Sequence, residues 1–534
     1  MAILPSKVPS FNFSDNLIDQ EEELQKNPLL TRFSESRCFF KDDPHRPRYH
    51  YVNPEGNLND PNGLCFWKGN WHLFYQAYPP EDPRQHWGHA VSSDLIHWRD
   101  LPYAIYPYPE NCCFSGATLV EEDRVIAMYH GTEVGNMIAT SSDPLLLNWE
   151  KLNNSAVIPL NNSSRYSDSK NSLYSVFDPC IWKNKNFYYA LSGGVTPTGP
   201  RSQYVAADFL FRSTDLSNWE FLHIFVEDDI FTQIGDDGAC PYFWPIGDRH
   251  ILLFFSHMSG GQYIIGSYNE DKQKFYAEKH GRFNFGAAHP SGVHAPSATT
   301  CKDGSVIAIF NMNKGKDCFG WDQIMTLPRQ LTLSKSGDLQ IKPAGDVLSL
   351  RDEHTHFGSH RLQHNEEINF SNVSTNCCEA LFKILINDAK RISIDVLCSP
   401  DRQEFTRITF YVNGGFNNRF RSVVASATDA NQMRPTSNDS VVTIDSSNSS
   451  ILSDVSIRPP ESASIRLHSD EILDVRVFID RSVVEVFVDD QQCLAVRVYP
   501  SLVDSTGMSV TGLGAGVFRH LGNEEHLLSS VAAS

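Results

Sequence analysis

No run of about 18 apolar residues occurs in this 534-residue chain, so a helical membrane span is not expected. The opening MAILPSKVPSFNFSD lacks both a basic start and an apolar h-region, which argues against an export signal and favours the cytoplasm. Asn-x-Ser sequons at Asn12, Asn153, Asn161, Asn162, Asn369, Asn372, Asn438 and Asn448 keep secretion open, although a chain rich in Ser and Asn generates such triplets unaided. Positive charge is short as well. The 45 Lys and Arg stand against 64 Asp and Glu, a net charge of −19 without the basic clusters that phosphate binding requires, which argues against nucleic acid as a partner. The 12 cysteines are sparse, two pairs are adjacent (Cys112-Cys113 and Cys377-Cys378), and no zinc-type spacing repeats. They read as reduced, structural thiols, with no metal site. Amphipathic helical periodicity is scarce outside residues 16 to 36.

What the chain has instead is strand-like runs: WHLFYQAY, RVIAMYHGT, FYYALSGG, HILLFFSH and SVIAIFNMN are bounded by Gly, Pro, Asn and Asp. Its length exceeds what one core accommodates, so two domains are expected. Three segments resemble each other: SSDLIHW (92 to 98), SSDPLLLNW (141 to 149) and RSTDLSNW (212 to 219). Each follows a strand-like run and closes on Trp. A unit repeated every 50 to 70 residues or so fits propeller blades better than a sandwich, and five such units fill residues 46 to 345. The plainer alternative is ordinary strand-turn chemistry. After Arg351 the runs RISIDVLC, RITFYVNG, DVRVFID and SVVEVFVD alternate, with a Ser/Asn/Asp-rich stretch at 426 to 456 expected to form long loops. The expected architecture is all-β: an N-terminal extension (1–45, partly helical), a five-bladed β-propeller (46–348) and a β-sandwich (349–534).

The densest polar and aromatic cluster runs from Tyr51 to Trp98 and centres on Asn57-Leu58-Asn59-Asp60-Pro61-Asn62-Gly63. An Asp between Asn residues and a Pro-Asn-Gly turn is fixed in place with amide donors around it, which keeps its carboxylate ionised, as a nucleophile requires. A bare Asp-Pro-Asn-Gly is also an ordinary Asx-type turn. Further along stand Trp71-His72-Leu73-Phe74-Tyr75-Gln76, His86-Trp87-Gly88-His89-Ala90, Ser93-Asp94-Leu95 with Trp98, and Phe114-Ser115-Gly116-Ala117. Trp321 through Met325-Thr326-Leu327-Pro328-Arg329 and the run from Val477-Phe478-Ile479-Asp480-Arg481 to Phe487 follow. Together and in this order, from about 50 to 520, they resemble glycoside hydrolase family 32, the invertases, inulinases and levanases.

The resemblance implies a propeller with its active site at the axis and a retaining cleavage of β-fructofuranosidic bonds by two carboxyl groups, without a cofactor. It makes Asp60 the nucleophile and places Asn59, Gln76, Trp87, Phe114, Ser115 and Cys240 around a fructose pocket. Asp178, in Val176-Phe177-Asp178-Pro179, takes the place of the family's transition-state stabiliser. Phe177 stands where the family has Arg, which removes a bidentate donor from the pocket. The family's acid/base Glu is replaced by Ala239, in Gly238-Ala239-Cys240-Pro241. Asp236 and Asp237 lie just upstream, and mutual repulsion would raise one pKa toward that of a general acid, with Asp237 the first choice. A relocated acid, a deliberate alanine substitution and a natural loss of catalysis are all open, as is a solvated turn at the two acids.

Other residues carry plainer readings. His72, His86, His89 and His97 need not converge on a metal, and Trp67, Trp71, Trp98, Trp149 and Trp219 read as blade packing. Trp87 is expected in a loop as a stacking surface, with Trp321, Asp322 and His294 on the far rim. The expected partner is sucrose or a short fructo-oligosaccharide, and a homodimer is possible by analogy alone. Fructosyl transfer differs from hydrolysis only in the acceptor, and a binding protein that has shed its acid is the alternative outside enzymes.

Overall fold

A computed structural model describes residues 3–160, 174–370, 373–415, 439–467 and 472–513, and for the backbone alone 516–518 and 526–528. The helical pattern near the N-terminus becomes two helices, Leu17–Gln25 and Pro28–Phe39, each capped by an Asn side chain. No helix among the described residues is long and apolar enough to cross a membrane.

Five sheets follow, antiparallel except for one parallel outer pair in the fourth, and their innermost strands are Leu58–Trp67, Cys113–Val120, Pro179–Asn184, Ala239–Ile246 and Val293–Thr300. These are blades I to V. Neighbouring innermost strands touch in ring order, and blade V closes on blade I, which makes a five-bladed propeller. The innermost strands of blades I, IV and V are buried along most of their length because neighbouring sheets cover their faces.

The three sequence repeats form the turn leaving the third strand of blades I, II and III. Asp94 accepts from the backbone N–H of Ile96 (2.9 Å) and His97 (2.8 Å), and Asp215 from Ser217 and Asn218 (both 2.9 Å). Asp143 does the same for Leu145 (3.1 Å), Leu147 (3.0 Å) and Asn148 (2.8 Å). Each turn passes through one leucine in the left-handed region, Leu95 (φ 71°), Leu146 (φ 53°) and Leu216 (φ 67°). The carboxylate satisfies the backbone donors that such a bend exposes, which is why Asp recurs there.

Beyond residue 350 two further sheets pack face to face. One contains Cys377–Leu385, Ile472–Asp480, Val483–Val488 and Gln492–Arg497; the other contains Arg391–Cys398, Thr406–Tyr411, Ser440–Asp445, Glu461–Ile465 and Gly507–Leu513. Their inner faces bury Ile384, Ile394, Val396, Phe410, Val477 and Val486 in one apolar core. The loop expectation for 426–456 is corrected in part. Ser440–Asp445 is a paired strand with alternating burial, while 426–438, like Asn161, Asn162 and Asn372, lies outside the described residues.

Asp480 ties the sandwich to the propeller entrance. Its fully buried carboxylate accepts from the backbone N–H of Arg48 (2.7 Å), Tyr49 (2.9 Å) and His50 (2.9 Å), and from His50 Nδ1 (2.9 Å). Burial pushes its pKa up, but His50 and the backbone donors outweigh that and hold it below the usual carboxylate range. A depressed folded pKa stabilises the protein above the unfolded carboxyl's pKa, and that contribution disappears as pH falls through the folded value. Asp480→Asn should therefore cost about 2–4 kcal/mol at neutral pH, with the gap from wild type closing below about pH 4. Urea midpoints of both proteins across that range check this.

Candidate active site

Four of the five innermost strands carry a register shift near their start, between Leu58 and Pro61, Cys113 and Gly116, Ala239 and Tyr242, and Val293 and Pro296. A bulge bends its strand and re-aims the unpaired side chains. The residues freed in this way are Asn59 and Asp60, Phe114 and Ser115, Cys240, and His294. Blade III contributes Asp178, just ahead of Pro179, with its carbonyl held by Gly193 N–H at 3.0 Å. All lie at the same mouth of the axis.

Cys240 is the meeting point. Its Sγ lies 3.7 Å from Asp60 Oδ2 and 3.7 Å from Asp178 Oδ2, so the two carboxyls stand no farther apart than twice that distance. A left-handed backbone at Cys240 (φ 49°) accompanies an N–H that donates to Asp178 at 3.4 Å. Burial beside the two acids pushes the thiol pKa well up, so the thiol stays protonated.

Asp60 is nearly buried. Its Oδ2 accepts from Ser115 Oγ (2.8 Å) and Gln76 Nε2 (3.3 Å), and Gln76 also donates to Ser115 at 2.7 Å. Asn59 extends the chain by donating to Gln76 Oε1 at 3.3 Å. On the other side, Asp60 Oδ1 lies 3.6 Å from His294 Nδ1, an ion-pair distance and too long for a hydrogen bond. Burial alone would raise the Asp60 pKa; His294, the Ser115 hydroxyl and the charge of His257 overcome it and leave the carboxyl below its usual value. Asp60 Oδ1 and both ring nitrogens of His294 are buried without a hydrogen-bond partner.

Phe114 and Phe177 flank His130, with ring centroids 6.2 and 5.8 Å from it, and form an aromatic wall across blades II and III. Where an Arg was the family expectation, the pocket is walled by hydrocarbon.

Several expectations are corrected. Trp87 lies in the strand His86–Ser92 and is fully buried against Phe74 and Tyr129, its indole N–H donating to Phe114 O at 2.9 Å; it backs Phe114 and offers no stacking face. Trp321 is likewise fully buried, stacked beneath Arg46 and Arg497 at the propeller–sandwich junction, away from any rim. Asp322 accepts from Leu58 N–H at 3.2 Å and braces the start of blade I. Asp236 is fully buried, accepting from Ser259 Oγ (2.8 Å) and Gln233 N–H (3.0 Å), and so clasps its own loop. Asp237 accepts from the backbone N–H of His257 (3.0 Å) and from His257 Nδ1 (2.6 Å), so that this carboxylate serves a histidine in place of facing a substrate directly.

Ala239 is buried in the first position of its strand, opposite Phe255. His72 and His89 form a buried pair 3.0 Å apart, with burial pushing His72 down to about 3 and His89 well below its usual value, so both are neutral. Among the described residues no group of three His, Cys, Asp or Glu is placed to hold a metal. Sequence reasoning missed His257 and His289, and His294 was placed at the rim. His294 is buried 3.6 Å from Asp60, and its ring lies 5.8 Å from His257 and 5.5 Å from His289.

Buried carboxyls converging on one pocket of amide, hydroxyl and aromatic groups at a propeller axis define a glycoside hydrolase. The sequence matches the glycosyl hydrolases family 32 N-terminal domain over residues 50–343 and the family 32 C terminal domain over 346–521. The chain belongs to glycosyl hydrolase family 32. It is 27% identical to a fructan 6-exohydrolase of Beta vulgaris, over 86% of this chain and 82% of that protein. To a sucrose-6-phosphate hydrolase of Zymomonas mobilis it is 25% identical, over 88% and 90%. Among solved structures, fructan 1-exohydrolase IIa from Cichorium intybus superposes with a TM-score of 0.73 at 19% identity, covering 89% of this chain and 97% of that one. A Bombyx mori β-fructofuranosidase gives 0.67 at 22% identity, covering 96% and 100%. These two likenesses share the fold.

Because the Ser115 hydroxyl bonds to the ionised form of Asp60 and helps hold its pKa down, Ser115→Ala should raise that carboxyl's pKa. The acid limb of the pH–rate profile would move to higher pH with it.

Proposed function

We propose that this protein is a retaining glycosidase that cleaves β-fructofuranosidic bonds, with sucrose and short fructans as substrates. Asp60 is the nucleophile and Asp178 the carboxylate that bonds to the sugar hydroxyls. The observation that carries the reading is the meeting of two buried carboxyls at Cys240, one of them held ionised with an oxygen still unsatisfied. A sugar bound there brings the hydroxyl donors that Asp60 Oδ1 and His294 lack.

In the first step a carboxylate oxygen of Asp60 attacks C2 of the fructosyl unit as the glycosidic oxygen departs with a proton. Water then attacks the fructosyl ester, releasing fructose with retained configuration and restoring the carboxylate. Two carboxylates supply the nucleophile and the sugar-hydroxyl contact, and the same intermediate supports transfer when a sugar hydroxyl replaces water. The relatives named as fructan exohydrolase and sucrose-6-phosphate hydrolase support the fructoside as the recognised unit.

Ala239 favours one second reading, a propeller that binds fructosides without cleaving them. Incubation with sucrose and with a fructo-trisaccharide, followed by assay for free fructose, separates the two. The expected result is release that Asp60→Asn lowers by about 10⁴-fold or more. No fructose after hours at high protein concentration, together with saturable sugar binding, would establish the binder.

A further inference from the structure

We propose that His257 is the acid and base of this site and that Asp237 is its positioning residue, an assignment that rests on the fructosidase reading above. The argument begins with the hairpin of blade IV. Tyr242 pairs with Leu253, but the bulge at Cys240 shifts the register by one, so that Ala239 pairs with Phe255. Extending that shifted register sets Asp237 opposite His257, whereas an unbulged hairpin would set it opposite Met258. The carboxylate then grips the histidine twice, accepting from its backbone N–H (3.0 Å) and from Nδ1 (2.6 Å).

Two further facts place the imidazole at the chemistry. The Asp237 side chain is only 9% exposed while that of His257 is 47% exposed, so the acid is buried behind a ring that faces the open mouth. That ring lies 5.8 Å from the ring of His294, which stands 3.6 Å from Asp60. It also lies 4.9 Å from the ring of Phe255, the residue paired with Ala239, so the imidazole stands beside the position that Ala239 leaves without a carboxyl. His294 is the poorer candidate, since it is buried against Phe255 (ring centroids 4.2 Å apart) and stands beside the nucleophile.

Among the described residues, the charged and titratable groups facing His257 include Asp237 from its own blade, His294 from the innermost strand of blade V, His289 from the approach to it, and Asp60 from blade I. The two carboxylates favour the imidazolium and the two histidines oppose it. With Nδ1–H donated to Asp237, proton transfer runs through Nε2. As Asp60 forms its bond to C2 and the C2–O bond breaks, the departing oxygen takes the Nε2 proton and leaves as an alcohol, and the imidazole becomes neutral. In the second half-reaction neutral Nε2 takes a proton from the attacking water, whose oxygen bonds to C2 as the Asp60 ester bond breaks. The imidazolium and the carboxylate are both regenerated.

The test compares sucrose, whose leaving oxygen needs a proton, with β-fructosyl fluoride, whose leaving group needs far less help. His257→Gln should lose about 10²–10⁴-fold in kcat/KM on sucrose, less than about tenfold on the fluoride, and the alkaline limb of its pH–rate profile. Asp237→Asn should keep that limb but move it to lower pH, because the imidazolium loses its partner. The assignment is overturned if His257→Gln stays within about threefold of wild type on sucrose, or if it loses both substrates equally with an unchanged profile. It is also overturned if wild type consumes the fluoride and leaves sucrose intact. Wild type inert toward both substrates is a separate result, which defeats the fructosidase reading itself.

Discussion

A buried carboxylate that must stay ionised is the constraint around which this protein is organised. Burial disfavours the charge of Asp60, and it persists because Ser115 and Gln76 donate to one oxygen while His294 stands at ion-pair distance from the other. Gln76 shares blade I with Asp60, Ser115 comes from blade II and His294 from blade V, so the set is complete only when the ring closes. The propeller is in that sense a frame for one charge.

The frame delivers side chains to its axis through a repeated irregularity. Regular innermost strands would send alternate residues into the flanking sheets, and a polar residue there would be buried without partners. The bulges near the starts of four innermost strands break that alternation and turn Asp60, Ser115, Cys240 and His294 toward the mouth. Cys240 shows the cost in its left-handed backbone, a strain of about 1–3 kcal/mol of the kind that persists where surrounding structure enforces it. The same bulge brings Asp237 and His257 into register, two residues ahead of Ala239, where the family pattern is broken.

The sandwich acts on the propeller at a distance from this site. Asp480 collects the backbone donors of Arg48, Tyr49 and His50 immediately before the chain enters blade I, and Arg481 donates to the carbonyls of Asp43 (2.6 Å) and Arg46 (3.0 Å). Arg329 of blade V and Glu485 of the sandwich form a fully buried ion pair 3.6 Å apart. The run from Asp480 to Phe487 is thus a clasp. It fastens the first and last blades, whose junction closes the ring.

Much of this was legible in residue order, because the signals involved are local. Strand-like runs, the Ser-x-Asp turns and the Asn59 to Gly63 bend depend on side chains reaching backbone a few residues away, and the same rules act on them in any fold. The order of motifs was enough to name the family. The expectations that failed, Trp87 as a stacking surface, Trp321 at the rim and Asp236 as a candidate acid, all concern which way a side chain points. Direction in a strand reverses with every residue, and a single bulge reverses it again, so a one-residue irregularity invisible in composition decides what reaches the axis. His257 and His294 share that fate, being separated in sequence from Asp60 by whole blades. Residue order alone determined the sheets, the turns and the nucleophile candidate. Ring closure and four bulges decided which groups meet it.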